Sequence, residues 1–417
     1  MKIAYLCSDS DIPILGHHGC SVHIREFTNA LVEAGHDVFI LCASTGRGAG
    51  IKLKARSYEL TPSGLDAIAW KSLETEPLIQ GNRLERDLKS VLFNQFLKSE
   101  GGSIIHREKP DLLYERYSLF GGAGVELSQR FGIPLILEVN APLCLEQAGY
   151  DRFTLSETAE KIETEIFRRA DSIIAVSQWL KEWITAKGAD ERNVHVVPNG
   201  VSIGFFNEST RSQEIRSRYG LVENRVIGYL GSFQPWHDVD GLLMAFHELY
   251  RCNSELRLLL VGNGPRRLEM ETTVRKMALQ SIVIFTGNVA HEVVPSFIGA
   301  MDIAVVPYRM KKDFYFSPLK LFECMVAGRP TVAAALGQIE QIIEHGRTGW
   351  LYSPGDREKL ANGIATLLAS SELASSIGEA GRQKVLSEFT WEATAARVTC
   401  LARILIDSRR SVLAART

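Results

Sequence analysis

Residues 303–334 read IAVVPYRMKKDFYFSPLKLFECMVAGRPTVAA, and this run decides the fold. Ile303–Val306 is a short apolar, largely β-branched segment, the pattern of a strand buried on both faces. Thr331–Ala334 predicts a second such strand. Between them, Ser317-Pro318 predicts a helix start, with serine as N-cap and proline at the first helical position. Leu319, Phe322 and Val326 share the core face of that helix. Lys320 and Glu323, three residues apart, share a more polar face. Strand, helix and strand in this order predict a βαβ unit, hence a parallel sheet covered by helices.

The same alternation fills most of the chain. Lys2–Cys7 predicts a buried first strand, Val22–Ala34 a helix and Asp37–Cys42 a second strand. Asp9–Ser21 is a long glycine-bearing loop above the first strand. Strands are predicted again at Leu112–Tyr114, Pro134–Val139, Ser172–Val176 and Val194–Val197, with helices at Thr158–Arg169 and Gln178–Ala186. Between Thr45 and Ser103 the periodicity is weak, and only a helix near Leu84–Phe96 is predicted. Pro198-Asn199-Gly200 is a turn, and a polar stretch follows it. The pattern then restarts at Val226–Leu230 and continues with Val239–Leu249, Arg257–Val261, Ile282–Thr286 and the run quoted above. Helices at Arg357–Ala369, Ala374–Glu388 and Trp391–Ile406 close the chain. The expected class is α/β with two Rossmann-like domains, residues 1–205 and 206–390. Parallel sheets of this kind take ligands at the carboxyl ends of their strands.

Composition sets outer limits. The chain has 417 residues, which suits two or three domains of roughly 150. Hydrophobic residues are 45% and charged residues 23%, a globular balance that excludes collagen-like and low-complexity classes. A net charge of -2 gives no overall drive toward nucleic acid, and no nucleic-acid partner is expected. The cysteines, Cys7, Cys20, Cys42, Cys144, Cys252, Cys324 and Cys400, are scattered and form no CxxC pair. A disulfide framework or zinc site is not expected, and a reducing, cytoplasmic setting is. The N-terminus does not read as a signal peptide, and no apolar run approaches the length of a membrane span.

Lys320 lies in the first turn of its helix, where free N–H groups suit an anion such as a pyrophosphate. Glu323, acceptor-only, can take hydrogen bonds from two neighbouring sugar hydroxyls. Locally, a surface Lys–Glu pair fits the same pattern. The wider context favours the ligand. The run to Ala327-Gly328-Arg329-Pro330 resembles the nucleotide-sugar signature of the family 4 retaining glycosyltransferases of GT-B fold. That signature has two glutamates with seven residues between them. Glu323 matches the second, while Tyr315 stands at the first; Ser317-Pro318-Leu319-Lys320 before the retained glutamate looks like a variant branch. Asp171–Ser177, Val196–Val201, Gly228–Ser232 and Leu260–Pro265 resemble further family segments in the expected order.

The resemblance implies two domains facing across a cleft, with residues after Trp391 packing back on the first domain. It implies transfer of a sugar from a UDP- or GDP-linked donor to a saccharide, lipid-linked or small-molecule acceptor, with retention and without metal or cofactor. The second domain would hold the donor. Lys320 is the first candidate to compensate the leaving phosphate and Arg309 the second. His237, where the family usually has lysine, is a third if protonated, and a neutral hydrogen-bonding role is as open to it. Gly231, Ser232, Gly262, Val289, Tyr315, Phe316, Ser317, Pro318, Leu319 and Glu323 complete the implied donor site. In the first domain, Gly19 matches a glycine-rich loop, with His18 where a second glycine is common. Asn140 stands where many members have histidine, able to bond a sugar hydroxyl. His17, His18, Glu115, Arg116 and Glu138 are assigned to the acceptor side, and His23 to structure. Lys52, Lys54, Arg56 and Arg83 are diluted by acids, so at most weak peripheral membrane contact is expected. Two rivals are a catalytically silent partner of this fold, motivated by Tyr315, His237 and Asn140, and a sugar-nucleotide epimerase.

Overall fold

The computed structural model describes residues 1–16, 18–48, 51–77, 81–149, 154–203 and 209–414. His17 and the expected boundary at 205/206 lie outside them. The chain forms two compact units. One comprises Met1–Pro198, Tyr315–Ser317 and Trp391–Thr417; the other comprises Asn199–Phe314 and Pro318–Thr390.

The first unit carries β1 (Lys2–Cys7), β2 (Asp37–Cys42), β3 (Arg56–Glu59), β4 (Leu112–Arg116), β5 (Leu135–Val139), β6 (Ser172–Ala175) and β7 (Val194–Val196). They pair in the order β3-β2-β1-β4-β5-β6-β7, every pair parallel. The central strand is apolar on both faces because helices cover both, and Ile3, Ala4, Tyr5 and Leu6 are buried accordingly. Tyr5 is in register with Ile40 on one side and Tyr114 on the other. The helix Trp391–Ala414 belongs to this unit. Trp391 sets its edge on His23 at 4.9 Å, and Arg409 donates to Asp171 at 2.8 Å.

The second unit carries β8 (Arg225–Leu230), β9 (Leu256–Val261), β10 (Val283–Gly287), β11 (Ile303–Val306), β12 (Thr331–Ala334) and β13 (Trp350–Tyr352). Their order is β10-β9-β8-β11-β12-β13, again all parallel. Each sheet therefore has one point where strand order reverses, between β1 and β4 and between β8 and β11. Loops leaving the two central strands diverge there and leave a crevice at the carboxyl edge. No helix among the described residues is long and apolar enough to cross a membrane.

Several elements differ from expectation. β3, with sequence RSYE, is a polar edge strand without an apolar signal. β13 spans only three residues, too few for a period. The polar stretch after Pro198 holds a helix, Ser209–Arg218. Arg216 ties that helix to Asp302 at 2.6 Å and to the Ala300 carbonyl at 3.1 Å. The helix expected to start at Val22 begins at Gly19, with Val22 N–H donating to the His18 carbonyl at 3.0 Å. Arg25 holds the preceding loop through the carbonyls of Ile14 and Gly16, at 2.9 and 2.6 Å. The helix Leu319–Val326 starts later than its sequence suggests. Pro318 occupies the cap position and no side chain caps it. Tyr315–Ser317 is drawn into the first unit instead, where Ser177 Oγ donates to the Tyr315 carbonyl at 2.8 Å.

Candidate functional site

In the second unit the crevice lies between the loop after β8 and the segment after β11. Strand β8 is followed by Gly231, whose N–H donates to the Val261 carbonyl at 2.9 Å. Its neighbour across β9 is Gly262, whose N–H donates to Gly287 at 3.1 Å. Both take positive φ, +138° and +132°. A Cβ on Gly262 would fall 2.1 Å from the Gly231 carbonyl oxygen, and one on Gly231 would fall 2.8 Å from Lys320 Nζ. Bare backbone at these two positions lets the strand ends and the lysine approach one another.

Lys320, from the helix after β11, reaches across the switch point. Its Nζ lies 3.0 Å from His237 Nε2 and 3.4 Å from Tyr229 Oη. It also sits over the rings of Tyr229 and Tyr308, 5.0 and 5.1 Å from their centroids. Among the described residues its hydrogen-bond partners are these two, neither a carboxylate. Burial pushes Lys320 down to about 7, against the opposing pull of Cys324 and Glu323. A lysine so placed gains from any anion that enters the crevice.

Glu323, one turn on, is half-buried, and its Oε1 lies 3.3 Å from His291 Nε2. His291 comes from the turn after β10. Val289, in the same loop, packs against the apolar cluster of this unit. Burial, then the charge of Lys320, lowers His237 to about 3. That shift favours the hydrogen-bonding role for His237 over the cationic one. Arg309 is paired already: its Nη2 lies 2.7 Å from Asp240 and its Nε 3.5 Å from Asp238. Ser232 presents its carbonyl to Tyr229 Oη at 2.7 Å and to His237 Nδ1. Pro318 is buried and Leu319 half-buried.

Tyr315 and Phe316 belong to the apolar cluster of the first unit. Tyr315 is hydrogen-bonded to Glu146 and tilts against Trp179 at 5.8 Å, so its hydroxyl is committed within that unit. Ser317 also lies in the first unit. Glu115, Arg116 and Glu138 are buried there, and do not line an open face. Alternation along β4 sends Glu115 against Gly124, whose N–H it accepts at 3.3 Å. Arg116, pointing the other way, donates to His23 Nδ1 at 3.3 Å. Glu138 takes a hydrogen bond from Tyr114 at 2.9 Å and lies 3.2 Å from His23 Nε2. His18 is exposed at the start of the helix Gly19–Glu33, and Gly19 has open space where a side chain would be. Asn140 Nδ2 is buried without a hydrogen-bond partner among the described residues.

At the switch point of the first sheet, a polar cavity of about 90 Å³ is lined by Ser8, Asp9, Asp11, Arg86, Ser118 and Gln147, among others. Sequence reading missed it. The available signal was Ser8-Asp9-Ser10-Asp11 directly after β1, at the carboxyl edge where ligands gather. Tyr229, Tyr308 and His291 were missed in the second unit, because their roles come from what packs around them. Among the described residues no group of three His, Cys, Asp or Glu side chains is placed to hold a metal ion.

Known families tile most of the chain. The family described as Glycosyl transferase 4-like domain matches residues 18–200, and that described as Glycosyl transferases group 1 matches residues 224–370. The two parallel-sheet units have the GT-B fold, and the chain is a glycosyltransferase. This glycosyltransferase is 26% identical over 259 residues to alpha-D-kanosaminyltransferase of Streptomyces kanamyceticus, covering 61% of this chain and 66% of that one. It is 24% identical over 400 residues to glycogen synthase of Mycobacterium tuberculosis, covering 94% and 92%. Among solved structures, sucrose-phosphate synthase of Thermosynechococcus elongatus superposes with a TM-score of 0.74 at 23% identity, covering 98% of this chain and 100% of that one. Anabaena HepE in complex with UDP and glucose gives 0.70 at 19%, covering 96% and 98%. At these identities the structural likeness speaks to the fold.

Proposed function

We propose that this glycosyltransferase moves a sugar from a nucleoside-diphosphate sugar to a hydroxyl acceptor with retention at the anomeric carbon, and that its second unit holds the donor. The carrying observation is Lys320: a half-buried amine whose hydrogen-bond partners among the described residues include no carboxylate, at the switch point, three residues before a half-buried glutamate. The diphosphate takes the lysine as counter-charge. As the glycosidic oxygen departs, charge grows on that phosphate, and a fixed ammonium in a water-poor site stabilises it. Glu323 accepts from two ribose hydroxyls. The backbone at Gly287–Val289 faces the base, which suits uracil or guanine. The first unit presents the acceptor, with Asn140 Nδ2 free to donate to a sugar hydroxyl. The UDP-bound relative HepE supports a UDP-linked donor. The chemistry needs no metal in this reading, because lysine and backbone N–H groups supply the positive potential.

Isothermal titration with UDP and GDP tests it. Glu323→Ala is expected to raise the nucleotide Kd about tenfold or more, as charge-assisted hydrogen bonds to a diol are lost. Lys320→Met is expected to weaken binding at least as much. Unchanged affinity in both variants, with thermal unfolding intact, would refute the site.

A further inference from the structure

The loop after β8 holds its histidine unusually tightly. His237 is buried, its N–H donates to the Gln234 carbonyl at 3.0 Å, and its ring stands edge-on to Tyr308 at 5.1 Å. Its Nδ1 lies within hydrogen-bond reach of the Ser232 carbonyl oxygen. A carbonyl can only accept, so Nδ1 carries the proton; a bare Nδ1 would set lone pair against lone pair. The Tyr229 hydroxyl donates to the same carbonyl, leaving its own oxygen as an acceptor. With Nδ1 protonated, Nε2 offers a lone pair, and Lys320 Nζ lies 3.0 Å from it.

We propose that His237 is the positioning residue for Lys320: the Nδ1–H tautomer, set by the Ser232 carbonyl, presents Nε2 as the acceptor that holds the ammonium above the bare backbone of Gly231. This rests on the reading of Lys320 as the donor's counter-charge, and adds that His237 acts through the lysine. Lysine has a long flexible stem and gives up several rotamers to stay in one place. Among the described residues no carboxylate hydrogen-bonds Lys320, where one would compete with the diphosphate. A neutral nitrogen orients the ammonium without cancelling its charge. The groups around the pair are Tyr229 on β8, Tyr308 after β11, and Glu323 and Cys324 on the lysine's own helix. The low titration of His237 agrees with a ring that stays neutral beside a cation.

Two measurements on the full chain separate this from the donor reading. In ¹⁵N-histidine-labelled protein, the His237 signals, assigned by their loss in His237→Asn, are expected to show the neutral Nδ1–H form from pH 6 to pH 8. An Nε2–H tautomer or an imidazolium at pH 7 overturns the proposal, whatever nucleotide binds. In titration with UDP, His237→Ala is expected to weaken binding about tenfold. His237→Gln, whose side-chain carbonyl can accept from Lys320, is expected to recover most of that loss. His237→Ala combined with Lys320→Met is expected to bind no worse than Lys320→Met alone. Losses that add, or a His237→Ala variant that binds as wild type does, overturn the positioning role. If Lys320→Met and Glu323→Ala leave UDP affinity untouched, the donor site itself fails, while the ¹⁵N result still reports on His237.

Discussion

Neighbouring strands of the first sheet carry two buried glutamates that titrate in opposite directions. Burial pushes Glu115 up to about 7, with only the Gly124 N–H opposing it. Burial acts on Glu138 too, but His23, Arg116 and Tyr114 outweigh it and hold that carboxyl near 2. For Glu115 the folded state keeps its proton where the unfolded chain has lost it, so stability falls as pH rises from the unfolded value near 4.5 through about 7. For Glu138 the stabilising effect is present above the unfolded value and is lost as pH falls toward 2. Glu115→Gln is therefore expected to stabilise the protein by roughly 2–3 kcal/mol at pH 8. The gain should shrink toward zero near pH 4.5, as read by urea unfolding at the two values. Sequence alone placed Glu115 and Arg116 side by side at a strand end, which is equally the pattern of an open acceptor face. Glu115 is covered by the helix Ala123–Phe131 that follows its own strand, and Arg116 by His23 of the distant helix Gly19–Glu33.

At the scale of elements, helices of the second unit differ in how their ends are met. Val239–Cys252 is capped by Asp238, whose side chain accepts from Gly241 N–H at 3.3 Å. Asp238→Ala is expected to cost about 1 kcal/mol, and somewhat more because Arg309 loses a partner. Thermal unfolding of the variant checks this. Leu319–Val326 has no such cap, although Ser317-Pro318 has the composition of one. Serine and proline carry the propensity for a helix start in any context, but Tyr315–Ser317 packs with the first unit, and the helix begins after them. The interior of the helix follows its pattern more closely, with Phe322 and Val326 buried and Lys320 and Glu323 on a partly open side. Leu319 is only half-buried. Periodicity predicts a face; it does not say which other element will compete for the residues at its edge.

For the molecule as a whole, the last helix is the element whose place is least local. Removing residues from Trp391 onward takes Trp391 from His23 and Arg409 from Asp171. Hydrogen exchange is expected to show lost protection in peptides from 2–42 and native protection in peptides from 225–261, since the second unit keeps its own core and the Val201–Phe389 backbone bond. Equal loss in both would show that the units do not hold their stability separately. By itself, the sequence determined the alternation of strand and helix, the doubling of the sheet architecture and the segment around Lys320 and Glu323, because hydrophobic period and turn chemistry act over a few residues. Tertiary structure alone decided the strand order, the burial of Glu115, Arg116 and Tyr315, and the burial of His237 beside Lys320. Those depend on which groups remove water from a side chain and which of them then answer its charge.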